Sequence, residues 1–197
     1  MFEVTVNGVN SNCLKKAVCK LRHTSCGNNI KTYSGREVKK MEMWFSEFHT
    51  PDVKHSIRVN RQLYSKQSDY QRIDIFETPE FGRVLTLDGN VMLTERDEFI
   101  YDEMITHVPM AVHKEARDIL VIGAGDGGVV RELTRYDRVR HIDLVEMDPM
   151  VVEACRAYLP GNACRLDDRR VHLHYENALK FIRRCENKYD LIIVDSS

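Results

Sequence analysis

The chain has 197 residues, a formal net charge of -1, 43% hydrophobic residues and 30% charged residues. That is the make-up of a soluble globular protein of one domain, or one domain plus a small module, without the basic excess of a nucleic-acid binder or a charged tail. No apolar run approaches the roughly 18 residues of a membrane helix, the given start has no apolar core after its basic residues and so is not read as a secretory signal, and six cysteines without a C-x-x-C pair read as reduced thiols of a cytoplasmic protein.

Residues 1–40 form an atypical stretch, rich in Asn, Lys, Gly and Cys with weak apolar periodicity, and are expected to be poorly ordered. Cys19, His23 and Cys26 lack a fourth partner at zinc-ligand spacing, so they read as ordinary side chains. Met41 is a plausible natural start.

From Gln71 to Glu77 apolar and polar residues alternate, as in a half-buried strand. Thr78 to Gly82 is a turn cluster, Arg83 to Leu87 a second strand, and Asp88-Gly89 a hairpin signal before Val91-Met92-Leu93. This predicts a small antiparallel meander. Thr94 then reads as the N-cap of a helix with Asp97 at the capping-box position. Phe99, Met104 and Ile105 supply its apolar stripe, and Pro109 ends or kinks it.

The pattern next changes to alternating strands and helices. Asp118 to Ile122 is a continuous apolar strand, as when both sheet faces are covered, and Val129 to Tyr136 a helix. His141 to Val145 is a strand, and Asp148 caps a helix with Pro149 at its first position. Val171 to Tyr175, Ala178 to Cys185 and Leu191 to Val194 complete the series as strand, helix and strand. Right-handed crossovers then give a parallel sheet.

Four features carry chemistry. Gly123-x-Gly125-x-x-Gly128 lies between strand and helix, where nicotinamide, flavin and adenosylmethionine enzymes all place a glycine loop. Glu146 ends the second strand, eighteen residues after Gly128, where a carboxylate accepts ribose hydroxyls. Asp126 sits inside the loop, where its charge repels phosphate and suits a cationic sulfonium nucleoside; the plainer reading is a cap for the next helix. Asp195 closes the fourth strand at the ligand-binding edge, to hold an amine or take its proton, or else to cap a further helix.

Together these segments resemble the spermidine synthase (polyamine aminopropyltransferase) family. The resemblance runs over about residues 41 to 197. It rests on Trp44-Phe45, Phe81 to Gly89, Thr94 to Tyr101, the G-A-G-D-G-G loop, Val145 to Asp148 and Asp195-Ser196-Ser197. It implies an α/β fold with a Rossmann-like (class I methyltransferase-like) parallel sheet, preceded by a small N-terminal antiparallel β-meander. The implied domains are an extension at 1–40, a meander at 41–94 and a catalytic domain at 95–197. It further implies a cytoplasmic homodimer or homotetramer. This enzyme would transfer an aminopropyl group from decarboxylated S-adenosylmethionine, as co-substrate, to putrescine. No cofactor or metal would be required.

Site roles follow from the same resemblance. Gln71 and Glu146 would hold the nucleoside at the loop of Gly123 and Gly125. Asp126 would face the aminopropyl amine, Tyr101 would line the channel, and Asp195 would be the base. Asp102 stands where the family usually has His or Gln, and as an anion would hold a cationic amine. Asn177 stands where Asp is common, with its amide oxygen expected to accept from the adenine amino group. Ala124 replaces a glycine, a small change.

The family continues after Asp-Ser-Ser, so the chain reads as a fragment or frameshifted product, truncated after the fourth strand with an uncovered apolar edge. The rival readings are an S-adenosylmethionine-dependent methyltransferase and an inactive truncated partner of a full-length subunit.

Overall fold

The structure is a computed structural model that describes residues 41–186 and 188–196. The expectations for residues 1–40 therefore lie outside the described residues. The first strands, β1 (Met43–Thr50) and β2 (Val53–Val59), form an antiparallel hairpin. Next come β3 (Arg61–Gln67), β4 (Arg72–Thr78), β5 (Gly82–Leu87) and β6 (Asn90–Thr94), an antiparallel sheet in the order β3-β4-β5-β6. Only the last three were expected. The hairpin packs on this sheet through Phe45 and Phe76, whose rings are 5.1 Å apart. Leu87 pairs with Asn90 across Asp88-Gly89, and both turn residues have positive φ (49° and 82°), the two-residue turn whose twist suits a hairpin.

Helix α1 (Glu98–Val112) differs from its expected form in three ways. Its N-cap is Asp97, not Thr94. Thr94 ends β6, and its hydroxyl donates to Asp97 Oδ1 at 2.6 Å. Pro109 lies within the helix, which continues past it to Val112. The buried stripe is Asp102, Thr106 and Met110, at i, i+4 and i+8, while Phe99 and Met104 are exposed.

The parallel sheet has the order β10-β7-β8-β9, from β7 (Asp118–Gly123), β8 (His141–Glu146), β9 (Val171–Tyr175) and β10 (Leu191–Asp195). The helices between are α2 (Gly128–Leu133), shorter than expected, α3 (Pro149–Tyr158), the single turn α4 (Pro160–Ala163) and α5 (Ala178–Arg184). One apolar core joins Ile73, Ile75 and Leu85 of the meander to Ile119, Val121, Ile142 and Leu144 of the parallel sheet. Across that sheet, Leu120 and Val145 pack on Phe181 of α5. All four parallel strands therefore run their carboxyl ends to one edge, beside the β3–β4 loop and the first turn of α1.

Candidate active site

Three of the loop glycines make room for neighbouring parts of the protein. Gly123 has φ 79°, and a Cβ there would stand 1.9 Å from the Asp195 carbonyl oxygen. Its bareness lets β10 end against the loop. A Cβ on Gly125 would stand 2.8 Å from Glu146 Oε2, and one on Gly128 1.9 Å from Asp102 Oδ2. Ala124 adopts φ 58°, a left-handed conformation that costs an L residue roughly 1 kcal/mol, so its replacement of glycine is not neutral for the backbone.

Glu146 and its surroundings form one end of the site. Its Oε1 accepts from the Asp148 N–H at 2.8 Å. The backbone N–H groups of Met147 and Gly125 also face the carboxylate, though burial still lifts it above its usual range. Asp148 caps α3 as expected, accepting from Met150 N–H at 3.0 Å. It also does what the sequence did not suggest. Its Oδ2 accepts from Ser68 Oγ at 2.6 Å and from Gln71 Nε2 at 3.1 Å. The β3–β4 loop is thereby pinned beside the glycine loop, with the Gln71 amide oriented by Asp148. Asn177 lies beyond the neighbouring strand end, since Glu146 pairs with Tyr175. Its Oδ1 accepts from Leu179 N–H and Lys180 N–H at 3.0 and 3.3 Å, so the cap occupies the oxygen expected to serve adenine. The amide NH2 is the group left to face a base.

The other end is acidic. Asp126 Oδ1 accepts from Gly128 N–H at 2.9 Å, so this residue does cap the turn into α2. Burial raises its carboxyl, as does the nearby charge of Asp195. Tyr101 Oη donates to Asp195 Oδ1 at 2.7 Å. Burial, that bond and the charges of Asp195, Asp102 and Asp126 push the phenol to about 12. A tyrosine about half exposed thus stands beside Asp195 at the carboxyl edge, in the field of Asp126 as well.

Asp102 does not present a carboxylate to this mouth. It is 4% exposed, beneath the glycine turn. Burial and the adjacent Glu98 push it up to about 9, which favours the neutral acid at pH 7. A neutral carboxylic acid can donate a hydrogen bond, as His and Gln can and a carboxylate cannot. Arg131 binds both Glu98 oxygens at 3.0 and 2.8 Å and stands 3.7 Å from Asp102 Oδ2. Glu98 and Arg131 were not read as site residues, because nothing in their spacing shows what lies under Gly128.

Among the described residues, Glu103, His107 and Glu132 come close enough together to bind a metal ion. Arg131 Nε at 2.9 Å and Arg135 already neutralise Glu132, which makes it a poor ligand. Among the described residues, no helix is long and apolar enough to cross a membrane.

Residues 98–197 match the family described as spermine/spermidine synthase domain, and residues 43–95 the spermidine synthase tetramerisation domain. The chain is 60% identical over 157 residues to a polyamine aminopropyltransferase of Alkaliphilus oremlandii (strain OhILAs), covering 80% of this chain and 55% of that protein. It is 61% identical over 157 residues to the polyamine aminopropyltransferase of Clostridium botulinum (strain Alaska E43 / Type E3), with the same coverage. The crystal structure of spermidine synthase from Thermotoga maritima superposes with a TM-score of 0.77 at 42% identity, over 86% of this chain and 60% of that one. A spermidine synthase in complex with the transition state analogue AdoDATO gives the same TM-score and identity, over 86% and 59%. The chain spans about half the length of the curated relatives it matches.

Proposed function

The chain belongs to the spermine/spermidine synthase family, and from that premise we propose that it moves the aminopropyl group of decarboxylated S-adenosylmethionine to putrescine, giving spermidine and methylthioadenosine. The observation that carries this reading is the acid in the glycine loop. Asp126, with Asp195 and Tyr101 beside it, stands where a dinucleotide enzyme needs phosphate donors. Such a mouth repels phosphate and attracts an ammonium group.

Glu146 accepts the ribose hydroxyls, its carboxylate held by three backbone N–H groups. Gln71 and the Asn177 amide bracket the nucleoside, and Asp126 takes the aminopropyl ammonium. Asp195 accepts the proton of the attacking amine through the oxygen that Tyr101 leaves open. As the N–C bond forms, the C–S bond breaks, and its electron pair neutralises the sulfonium. The leaving group arrives activated, so alignment and deprotonation carry the rate.

The three described cysteines, Cys155, Cys164 and Cys185, are unpaired, which suits a reducing cytoplasm. Trp44 and Phe48 of the exposed hairpin lie in the segment matched by the tetramerisation domain, and we assign self-association to that surface.

Assay of the chain with decarboxylated S-adenosylmethionine and a panel of diamines tests the reading. Turnover with putrescine is expected, and Asp195→Asn should lower kcat by about 10²–10⁴-fold. Wild-type turnover by that variant would remove Asp195 as the base.

A further inference from the structure

Asp102 poses a problem of charge. Its Oδ2 is buried and has no hydrogen-bond partner among the described residues. The groups facing it are Glu98 one turn back on α1, Asp126 in the glycine loop and Arg131 on α2. Arg131 is committed to Glu98 and, through Nε, to Glu132. Arg135 shares Glu132, but Arg131 is the cation that faces Glu98 and Asp102 in this poorly solvated space, and the acid without a donor is the one that keeps its proton. The Asp102 and Glu98 carboxyls also lie close enough to influence each other's ionisation, and a hydrogen bond between two carboxyls requires a proton.

We propose that the Glu98–Asp102 pair stores one proton beneath the glycine turn and releases it to solvent when a cationic ligand settles against Asp126, so that binding of positive charge is linked to proton loss. This rests on the cationic ligand proposed above. Positive charge at Asp126 favours ionisation of the acid just behind it, and only an O–H bond is broken. Because protons leave on binding, affinity rises with pH, by up to about tenfold per unit while the proton is held in the unliganded site. Asp102 is then a positioning residue that acts through the field at Asp126, and Glu98, held by Arg131, keeps the charge that anchors the shared proton.

The test is calorimetry of the whole chain at pH 7.5 in two buffers of different ionisation enthalpy, with decarboxylated S-adenosylmethionine and with uncharged methylthioadenosine. The cationic nucleoside should release up to about one proton per site and the neutral one none. Asp102→Asn should bind both and release none. Binding of the cationic nucleoside without proton release, or undiminished release by Asp102→Asn, would overturn the proposal. If methylthioadenosine binds and the cationic nucleoside does not, the cationic-ligand reading has failed, and this proposal with it. Carboxyl NMR titration of the unliganded protein gives a readout without ligand. A resonance absent from Asp102→Asn should titrate above pH 7, and titration near pH 4 would overturn the proposal regardless of what binds.

Discussion

At the scale of the residue, the glycine loop is shaped by the side chains behind it as much as by any ligand in front. Gly128 has ordinary backbone angles, so alanine there meets a steric obstacle and no conformational one. The obstacle is the carboxyl of Asp102, 1.9 Å from the new Cβ. Gly128→Ala is therefore expected to destabilise the chain by about 1–3 kcal/mol, as overpacking in a rigid core does. Asp102→Ala should relieve much of that cost, giving a coupling of about 1–3 kcal/mol in a denaturant double-mutant cycle. Additive effects would mean that the two residues do not touch. The Asp88-Gly89 turn was legible from sequence because its cause is local: two residues that tolerate positive φ. The state of Asp102 was not. Its charge depends on Gly128, Arg131 and Glu98 meeting in space, and no spacing along α1 encodes that.

At the scale of the element, β8 and β9 are tied by a carboxylate outside the candidate site. Asp143 of β8 accepts from His141 at 2.8 Å, from His174 of β9 at 2.6 Å and from Tyr189 at 2.6 Å. Burial alone would raise this acid, but those donors outweigh it and hold it at about 2, below its ordinary 3.8. A depressed carboxylate contributes stability above its unfolded value and loses it as pH falls through its folded value. About 2 kcal/mol should therefore fade between pH 4 and pH 2. Asp143→Asn should lose a similar amount at pH 7 and flatten that acid slope in urea melts taken across pH. An unchanged slope would show that other carboxylates govern acid unfolding. The strands of the parallel sheet were legible because both faces are buried and their apolar runs are continuous. β2 and β3 were not, because Val-Lys-His-Ser-Ile-Arg-Val and Arg-Gln-Leu-Tyr-Ser-Lys-Gln bury little and alternate weakly. The α1 stripe was misread for a related reason. Its inner face mixes Asp102 and Thr106 with Met110, and several of its apolar residues, Phe99, Ile100, Met104 and Val108, are exposed.

At the scale of the whole molecule, topology assembles the candidate site. Parallel β7, β8 and β10 deliver the glycine loop, Glu146 and Asp195 to one edge, and that much follows from strand order and motif. The brace beside Glu146 does not. Ser68 and Gln71 reach Asp148 across about 80 residues of chain, a contact between meander and parallel sheet that no local pattern announces. The outer face of α1 and the edge strand β10 expose Ile100, Met104, Val108, Ile192 and Val194. The molecule thus joins an acidic, well-braced strand edge to broad apolar surface. The proposed function turns on the sign of charge that the site accepts. The direct measurement is the affinity of the chain for decarboxylated S-adenosylmethionine beside S-adenosylmethionine and NADH, by calorimetry in one buffer. The carboxylate of S-adenosylmethionine and the pyrophosphate of NADH would each face Asp126, so the decarboxylated nucleoside should bind at least tenfold more tightly than either. Equal or tighter binding of S-adenosylmethionine or NADH would contradict the account.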